Sequence, residues 1–592
     1  MTDVKIMNFS ILDEQRRLTR IFTFGMMAMF AFFLLLIRLF YMQVFEGDKY
    51  HSLAQKNRIN VKFSIPPRGE IVGKDGGILA GNQKDYRLTL IPRYVRNIQN
   101  SLDVLSLEGI DQKRILQSYQ KLGKRSMTPI VVQKHLELDA LLKLELSFVE
   151  NIGAEIIQST SRVYPLKEAG AHVLGYVGSP AKEKEAYFVK LGRVSVGKTG
   201  LELLHEDSLF GKPGMEEIEN NAAGQVVRVL EKKDALPGEV IKTTLNADLQ
   251  LFIYQLLSPH KSACAAVMDV KTGEILALVS YPSFDPHLFE DGILESQWRE
   301  LLNDPYHPLT NKATSGLYAP GSSFKMIVAL AALEAGIDPH ETHFCSGGIT
   351  VGNHVFHCHK SWGHGSMDMK SAIAESCDVY FYELAQKVGI DRIGKMAEKF
   401  GFGEKTPLNF QGERSGLVPS KAWKKEVKKD SWKVYDTILS SIGQGYVLST
   451  PLQLIQMTAR LATGKRVAPS ILQKDPLVFE DLNVKNLKSI QEAMEAVVNH
   501  PFGTGYASKL ETVKYSGKTG TSQVKRISMQ ERNSNLHRTG HHAWADKDHA
   551  IFTGYGPSEN PKYAVVVVVE HGGSGSKVAA PLAKEIFKKL LE

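Results

Sequence analysis

Cysteine is scarce in this sequence, with only four among 592 residues. That scarcity excludes a small disulfide-stabilised scaffold. Glycine (49) and proline (24) stay near ordinary usage, which excludes collagen-like and low-complexity chains. Basic residues outnumber acidic ones by 72 to 64 but form no concentrated stripe, and the chain has no zinc-finger, RNA-recognition or phosphate-loop motif. We therefore expect no nucleic-acid partner.

One long hydrophobic run is present, and it lies near the N-terminus. Residues 21–37 are plainly apolar except for Thr23 and Gly25, and apolar residues resume after Arg38. About 20 such residues cross the hydrocarbon core of a bilayer. A cleaved signal peptide would have a shorter run followed by small residues, whereas large side chains follow here. The pattern predicts a single membrane-spanning helix over residues 21–45.

Basic residues before this run predict its orientation. Arg16, Arg17 and Arg20 precede it directly, and positively charged flanks stay on the cytoplasmic side of a membrane. We expect residues 1–20 to form a cytoplasmic tail and the bulk of the chain to lie on the outer side.

The remaining chain divides at a Pro-Gly turn near residue 238. Residues 46–240 mix strand patterns, as at 86–91, with helical patterns, as at 139–149, and predict a mixed α/β domain. Residues 241–592 open with an alternating hairpin over 265–280, continue with helical patterns and end with strands and an amphipathic helix. Strands that enclose a helical middle predict an α+β fold with an antiparallel sheet.

The first chemical motif is Ser322-Ser-Phe-Lys325, which follows the turn Pro320-Gly321 and opens an apolar helix that ends at Gly336. The spacing places Ser322 at a helix N-terminus with Lys325 on the same face. A desolvated lysine can accept the proton of a serine hydroxyl, which a weak nucleophile needs. Ser-x-x-Lys recurs elsewhere in the chain, but only this copy stands on a turn that opens a long apolar helix.

Two further motifs follow in order. Ser376-Cys-Asp378 lies between two helical patterns, and Lys518-Thr-Gly-Thr521 lies in a strand pattern. Two other Lys-Thr-Gly sequences, at 198–200 and 271–273, have the features of turns. Only the copy at 518 has the trailing threonine and follows the serine motifs.

These three motifs together resemble the penicillin-binding protein and serine β-lactamase superfamily, with its Ser-x-x-Lys, Ser-x-Asn and Lys-Thr-Gly set. Segments 66–71, 171–178 and 197–202 look like the pedestal of class B penicillin-binding proteins, and Gly443-Gln-Gly445 looks like their transpeptidase domain. Segments 363–365 and 375–382 are most similar to the elongation-specific branch, the penicillin-binding protein 2 group. Asp378 stands where the superfamily usually has Asn, as is common in that branch.

The resemblance implies a monofunctional D,D-transpeptidase of the bacterial inner membrane that crosslinks peptidoglycan stem peptides during elongation and is a target of β-lactams. Ser322 would be the nucleophile and Lys325 its base, with Ser376 relaying a proton and Asp378 orienting the lysine. Lys518 and Thr521 would bind the substrate carboxylate, together with the motif residues Thr519 and Gly520. The implied partners are a membrane glycan polymerase and shape-determining proteins of the elongation complex.

Three cysteines and a histidine cluster in the sequence near the second motif. Cys345, Cys358, His364 and Cys377 make a full tetrahedral zinc set, and some elongation-type relatives resembling this chain have a metal beside the active site. We predict a structural zinc ion, with no cofactor needed for acyl transfer. A disulfide and reduced core thiols are the alternatives. Cys264 is expected in the core.

Several histidines fall outside this set. His343, His354, His357 and His359 are alternative ligands or members of a polar loop. The later histidines are expected in an exposed polar insertion: His537, His541, His542 and His549.

Other functions with the same motifs stay open. A D,D-carboxypeptidase would use water in place of the acceptor amine, and the motifs do not separate hydrolysis from transfer. A β-lactam sensor is disfavoured because 20 residues before the span cannot hold an output domain. A secreted β-lactamase would not need the large N-terminal region, and a bifunctional synthase would need a glycosyltransferase motif that residues 46–240 do not show.

Overall fold

A computed structural model describes most of the chain. The described residues are 3–51, 59–104, 112–124, 126, 129–133, 135–136, 153–180, 195–220, 226–290, 292–473, 479–482, 484–525 and 543–592. The helical pattern at 139–149 and the histidines at 537, 541 and 542 lie outside these ranges.

The described residues form both strands and helices. The strands are β1 Ile59–Ser64, β2 Ile71–Val72, β3 Ile78–Leu90, β4 Ile130–Gln133, β5 Ala154–Val163, β6 Val177–Gly178, β7 Val196–Gly197, β8 Gly214–Asn220, β9 Val226–Lys233, β10 Ile241–Lys242, β11 Ala263–Asp269, β12 Ile275–Tyr281, β13 His343–Cys345, β14 Gly348–Val351, β15 His354–His357, β16 Gly365–Met367, β17 Ser516–Ser522, β18 His549–Gly556 and β19 Tyr563–Val569. The helices are α1 Asp3–Val44, α2 Ile98–Val104, α3 Gln112–Leu122, α4 Ala171–Leu174, α5 Gly200–Leu204, α6 Glu206–Phe210, α7 Ala247–Leu257, α8 His287–Glu290, α9 Glu295–Asn303, α10 Lys312–Ser315, α11 Lys325–Glu334, α12 Met369–Ala374, α13 Asp378–Val388, α14 Ile390–Lys399, α15 Lys421–Val427, α16 Val434–Ser441, α17 Pro451–Thr463, α18 Leu487–Asn499 and α19 Ala580–Leu591.

The chain separates into two compact units. One contains residues 1–66 and 212–236, and the other contains residues 67–211 and 237–592. In the first unit, β1, β8 and β9 form a three-stranded antiparallel sheet in that order.

Helix α1 of the first unit contains the apolar run. Its segment Arg16–Val44 has a mean hydropathy of 2.1, and its most apolar part is not buried against the rest of the protein. Among the described residues it is the one helix long and apolar enough to cross a membrane. Its length agrees with the single-span anchor expected from the sequence, although the helix begins earlier, at Asp3.

The second unit begins with a mixed α/β region. Strands β10, β2, β3 and β4 form a sheet in that order, and β5 pairs with β3 over ten residues. The strand expected at 86–91 is the last part of β3. Its buried Leu88 and Leu90 pack with Ile115 and Tyr119 of α3, so alternating apolar residues build a small separate core.

The largest sheet holds the C-terminal half together. It is five-stranded, antiparallel throughout and ordered β12-β11-β19-β18-β17. The β-branched run of β19 is buried on both faces, since α17 and α19 both pack against it. The predicted antiparallel α+β arrangement is thereby confirmed. Strand β17, which carries Lys518, lies at the edge of the sheet.

Candidate active site

The Ser322 turn lies against edge strand β17. Ser322 is part of a 3-10 turn, Gly321–Phe324, that continues directly into the buried helix α11. A Cβ atom built on Gly321, whose φ is +57°, would lie 2.6 Å from the carbonyl oxygen of Thr521. Glycine is therefore required for the turn to come this close to β17. The arrangement leaves Ser322 half-exposed and Lys325 fully buried.

Lys325 is the centre of the polar contacts in this region. Its Nζ donates hydrogen bonds to the Ser376 carbonyl at 2.8 Å, to the Ser376 hydroxyl at 3.2 Å and to Asp378 Oδ1 at 2.7 Å. The helix supplies the lysine and the downstream motif supplies every one of these acceptors. Residues 51 or more positions apart in sequence are thus joined at one side chain.

Ser376 occupies the short connection between α12 and α13. It has a φ of +60°, a left-handed conformation that costs a non-glycine residue roughly 1–2 kcal/mol. Cys377 is the N-cap residue of α13, and Asp378 is its first residue. The strained backbone aims the Ser376 hydroxyl at both lysines of the site.

Lys518 reaches the same hydroxyl from the edge strand. Its Nζ lies 2.9 Å from Ser376 Oγ and 3.1 Å from the Thr519 carbonyl, and the side chain is completely buried. Burial and then the positive charge of Lys325 hold the pKa of Lys518 well below its ordinary value, with Asp378 offsetting part of the effect.

Asp378 forms an ion pair with Lys325. Burial raises the pKa of Asp378, but the Lys325 ammonium and the hydrogen bond with His359 outweigh it, so the pKa is lowered overall. Asp378 Oδ2 also accepts a 2.9 Å hydrogen bond from the His359 backbone N–H. The structure therefore places Asp378 beside Lys325, where an orienting carboxylate would be needed.

The residues after Lys518 belong to the same edge strand, β17. Gly520 lets β17 approach the turn, because a Cβ there would lie 3.0 Å from both Pro320 O and Ser323 Oγ. Two side chains hold this strand from outside it: Gln444 Nε2 donates to the Thr521 carbonyl at 2.9 Å, and the hydroxyl of Thr504 lies 2.7 Å from that of Thr519.

Sequence reasoning assigned no role to Gln444 or Thr504. Gln444 belongs to the Gly443-Gln-Gly445 segment, and this segment was the sequence feature that could have predicted its role. Thr504 has no such feature, because its importance depends entirely on a contact with another part of the chain.

The structure brings the four predicted metal ligands together. One donor atom from each of Cys345, Cys358, His364 and Cys377 lies within 4.8 Å of the others. His364 Nδ1 is 3.6 Å from Cys345 Sγ and 3.5 Å from Cys358 Sγ. The hydrogen bond between Cys358 and Cys377 lowers the pKa of Cys358 and raises that of Cys377. All three of these cysteines are buried and free of disulfides.

Tight pairs of strands form the frame of this cluster. Cys345 ends β13, which pairs with β16, while Cys358 directly follows β15. The Asp378 backbone N–H points at Cys358 Sγ, 3.3 Å away. The cluster and the Lys325 site are therefore in direct contact. Cys264 lies apart, buried in β11 as expected.

The expectation that His549 belongs to an exposed insertion is wrong. His549 starts β18, and its Nδ1 accepts a 2.9 Å hydrogen bond from the His571 backbone N–H. Burial and neighbouring His571 lower the pKa of His549 to about 4, with Glu570 opposing the shift. The polar residues before it concealed where the strand begins.

Comparison with known proteins matches both regions of the chain. Residues 263–588 match the family model of the penicillin-binding protein transpeptidase domain, and residues 64–243 match that of the penicillin-binding protein dimerisation domain. Over 583 residues the chain is 34% identical to the peptidoglycan D,D-transpeptidase MrdA of Haemophilus influenzae, covering 93% of this chain and 88% of that protein.

Solved structures resemble most of this chain. The complex between penicillin-binding protein PBP2 and MreC from Helicobacter pylori contains a chain with a TM-score of 0.80 and 30% identity, covering 90% of this chain and 99% of that one. A peptidoglycan synthase complex that coordinates polymerization and crosslinking contains another, with a TM-score of 0.70 and 29% identity, covering 96% of this chain and 97% of that one.

Proposed function

The chain belongs to the penicillin-binding protein transpeptidase family, and on that basis we propose that it is an elongation-specific peptidoglycan D,D-transpeptidase acting through an acyl-enzyme on Ser322. The observation that carries the proposal is the convergence of Lys325 and Lys518 on the Ser376 hydroxyl beside the Ser322 turn. A serine at the start of a helix, with buried lysines and a second serine behind it, suits acyl transfer.

The proposed reaction begins with Ser322 Oγ attacking the carbonyl of the penultimate D-Ala. Lys325, acting as the neutral amine, accepts the Ser322 proton, and Ser376 passes a proton to the amine of the departing D-Ala. The amine of a second stem peptide then attacks the ester carbonyl, and the bond to Ser322 Oγ breaks as the amide crosslink forms. The proton that the amine loses restores the Ser322 hydroxyl. Asp378 holds Lys325 in place through the 2.7 Å ion pair.

Substrate binding is assigned to β17. Lys518 and the hydroxyls of Thr519 and Thr521 would bind the terminal carboxylate, and Gly520 leaves room for it. The backbone N–H groups of Ser322 and Thr521 would stabilise the oxyanion, which is worth about 3–4 kcal/mol per donor. The close approach of Gly321 to Thr521 supports this pairing.

We assign a structural zinc ion to the Cys/His cluster. Three sulfur atoms and one imidazole nitrogen within 4.8 Å of one another fit tetrahedral zinc. Cys345, Cys358, His364 and Cys377 would hold it with no open position, so zinc would supply cross-linking of the local fold and no reaction chemistry. Cys377 would then fix the backbone on which Ser376 is strained.

We propose that α1 anchors the chain in the inner membrane with residues 1–20 on the cytoplasmic side, because three arginines precede the apolar run. The pedestal is assigned to residues 46–240 and the transpeptidase domain to 241–592. Proposed partners are a membrane glycan polymerase and a protein of the MreC type. The likeness to chains in such assemblies supports both.

Labelled penicillin tests the nucleophile. The full-length protein should be acylated once, on Ser322, and Ser322→Ala should abolish labelling. Ser323→Ala is the matched control, since Ser323 is adjacent but fully buried, and it should keep labelling. A label mapped by peptide analysis to another serine would contradict the assignment.

Depletion tests the cellular role. Loss of an elongation transpeptidase should turn rod-shaped cells round, because lateral wall synthesis stops. Filamentous cells on depletion would instead indicate a division enzyme. Complementation with the Ser322→Ala variant should fail at equal membrane abundance.

A further inference from the structure

Thr504 connects two parts of the site that are distant in sequence. Its backbone N–H donates a 3.1 Å hydrogen bond to the carbonyl of Ala374, two residues before Ser376. Its hydroxyl lies 2.7 Å from the hydroxyl of Thr519, the residue after Lys518. Thr504 therefore contacts both the end of α12 and strand β17.

The Thr504–Thr519 contact has a direction once a substrate binds. A hydroxyl has one proton to donate, and a carboxylate can only accept. If Thr519 donates its proton to the substrate carboxylate, its oxygen must be the acceptor in the contact with Thr504. Thr504 is then the donor, and the two hydroxyls form a chain that ends on the carboxylate.

We propose that Thr504 is a positioning residue for carboxylate recognition: it donates to the Thr519 hydroxyl and thereby directs the Thr519 proton toward the substrate. The inference rests on the proposed function, because it assumes that Thr519 faces the carboxylate. Without Thr504, the Thr519 proton would be free to point elsewhere, and reorienting it would weaken binding of the charged group.

The test compares two ligands on three forms of the full-length protein in detergent. The second-order rate of acylation is measured for penicillin G and for its methyl ester, which lacks the carboxylate charge. Thr504→Val removes the hydroxyl at nearly constant volume, and Thr504→Ser keeps it. We expect Thr504→Val to slow acylation by penicillin G about tenfold and to change the rate with the ester by less than about twofold. Thr504→Ser should be acylated by penicillin G at nearly the rate of the unmodified protein.

A double-mutant cycle checks that Thr504 acts through Thr519. Thr504→Val should have little further effect in a Thr519→Val background, because the chain of hydroxyls is already broken. Equal losses with acid and ester, additive losses in the cycle, or an unchanged rate in Thr504→Val would each overturn the proposal. Absence of acylation of the unmodified protein would overturn the proposed function itself, and with it this inference.

Discussion

The Lys518 ammonium donates a 2.9 Å hydrogen bond to the Ser376 hydroxyl. The same oxygen lies 3.2 Å from Lys325, so two buried lysines meet at one hydroxyl. Two ammonium charges this close are unfavourable, and the lowered pKa of Lys518 reflects burial and the neighbouring charge. The Ser376 hydroxyl therefore lies within hydrogen-bond distance of both lysines.

Ser376→Ala should therefore slow penicillin acylation by a factor of about 10² or more, within the usual range for a lost proton-transfer group. Rapid-mixing measurements with fluorescent penicillin would give the rate, and the thermal midpoint would show that the fold persists. A rate within threefold of the unmodified protein would contradict the proton-relay role.

Removing a ligand from the Cys/His cluster should lower stability and acylation together. In Cys377→Ser the proposed zinc site loses one thiolate, so the backbone of Ser376 would be held less firmly. An error of about 1 Å in the Ser376 position can reduce the rate on the order of a hundredfold. Chelation should reproduce both effects, and elemental analysis should find about one zinc per chain. Cys264→Ser is the matched control, since that cysteine is buried outside the cluster.

Either of two results would contradict the zinc assignment. One is metal-free protein that is acylated at the normal rate. The other is a Cys345–Cys358 disulfide in a peptide map of the non-reduced protein.

Gly321→Ala should slow acylation more than Gly352→Ala, a replacement with the same backbone strain. Gly321 and Gly352 both have a φ of +57°, but a Cβ on Gly352 would meet no atom within 4 Å, whereas one on Gly321 would collide with Thr521. Both variants should lose about 1–2 kcal/mol of stability to the left-handed backbone, and Gly321→Ala should lose more because of the collision. Only Gly321→Ala should also slow acylation, because it pushes β17 away from Ser322. Equal acylation rates in the two variants would show that this close approach has no functional consequence.

His549 should make the protein less stable in acid. Its pKa is about 4 in the fold against an ordinary 6.5, so the folded state favours the neutral ring. The associated stability is complete above pH 6.5 and is lost as the pH falls from 6.5 to 4, by roughly 3 kcal/mol in total. Protonation would also remove the Nδ1 acceptor used by the His571 N–H.

Urea unfolding of the full chain at pH 7 and pH 4 would measure this loss. In His549→Gln, which keeps an acceptor and does not titrate, the decrease should be smaller than in the unmodified protein by a similar amount. An identical decrease in both proteins would assign the acid sensitivity to other groups.

The sequence by itself determined the local elements and the chemical inventory. The apolar run predicted α1, the alternating hairpin at 265–280 predicted β11 and β12, and the turn before an apolar segment predicted the position of Ser322. Each of these signals is local, because helix and strand periodicity and turn chemistry act over a few neighbouring residues. The residue types and the family resemblance also pointed to the four residues of the Cys/His cluster.

Only the tertiary structure decided which groups touch. Lys325 and Lys518 are 193 positions apart in sequence, yet both reach Ser376, because an antiparallel sheet sets its edge strand beside the start of α11. The same packing shows the Thr504–Thr519 contact and moves His549 from a supposed loop into a buried strand. Burial and long-range contacts also set the pKa of Lys518 and of His549. These properties depend on what the rest of the chain places around a residue, which no local pattern records.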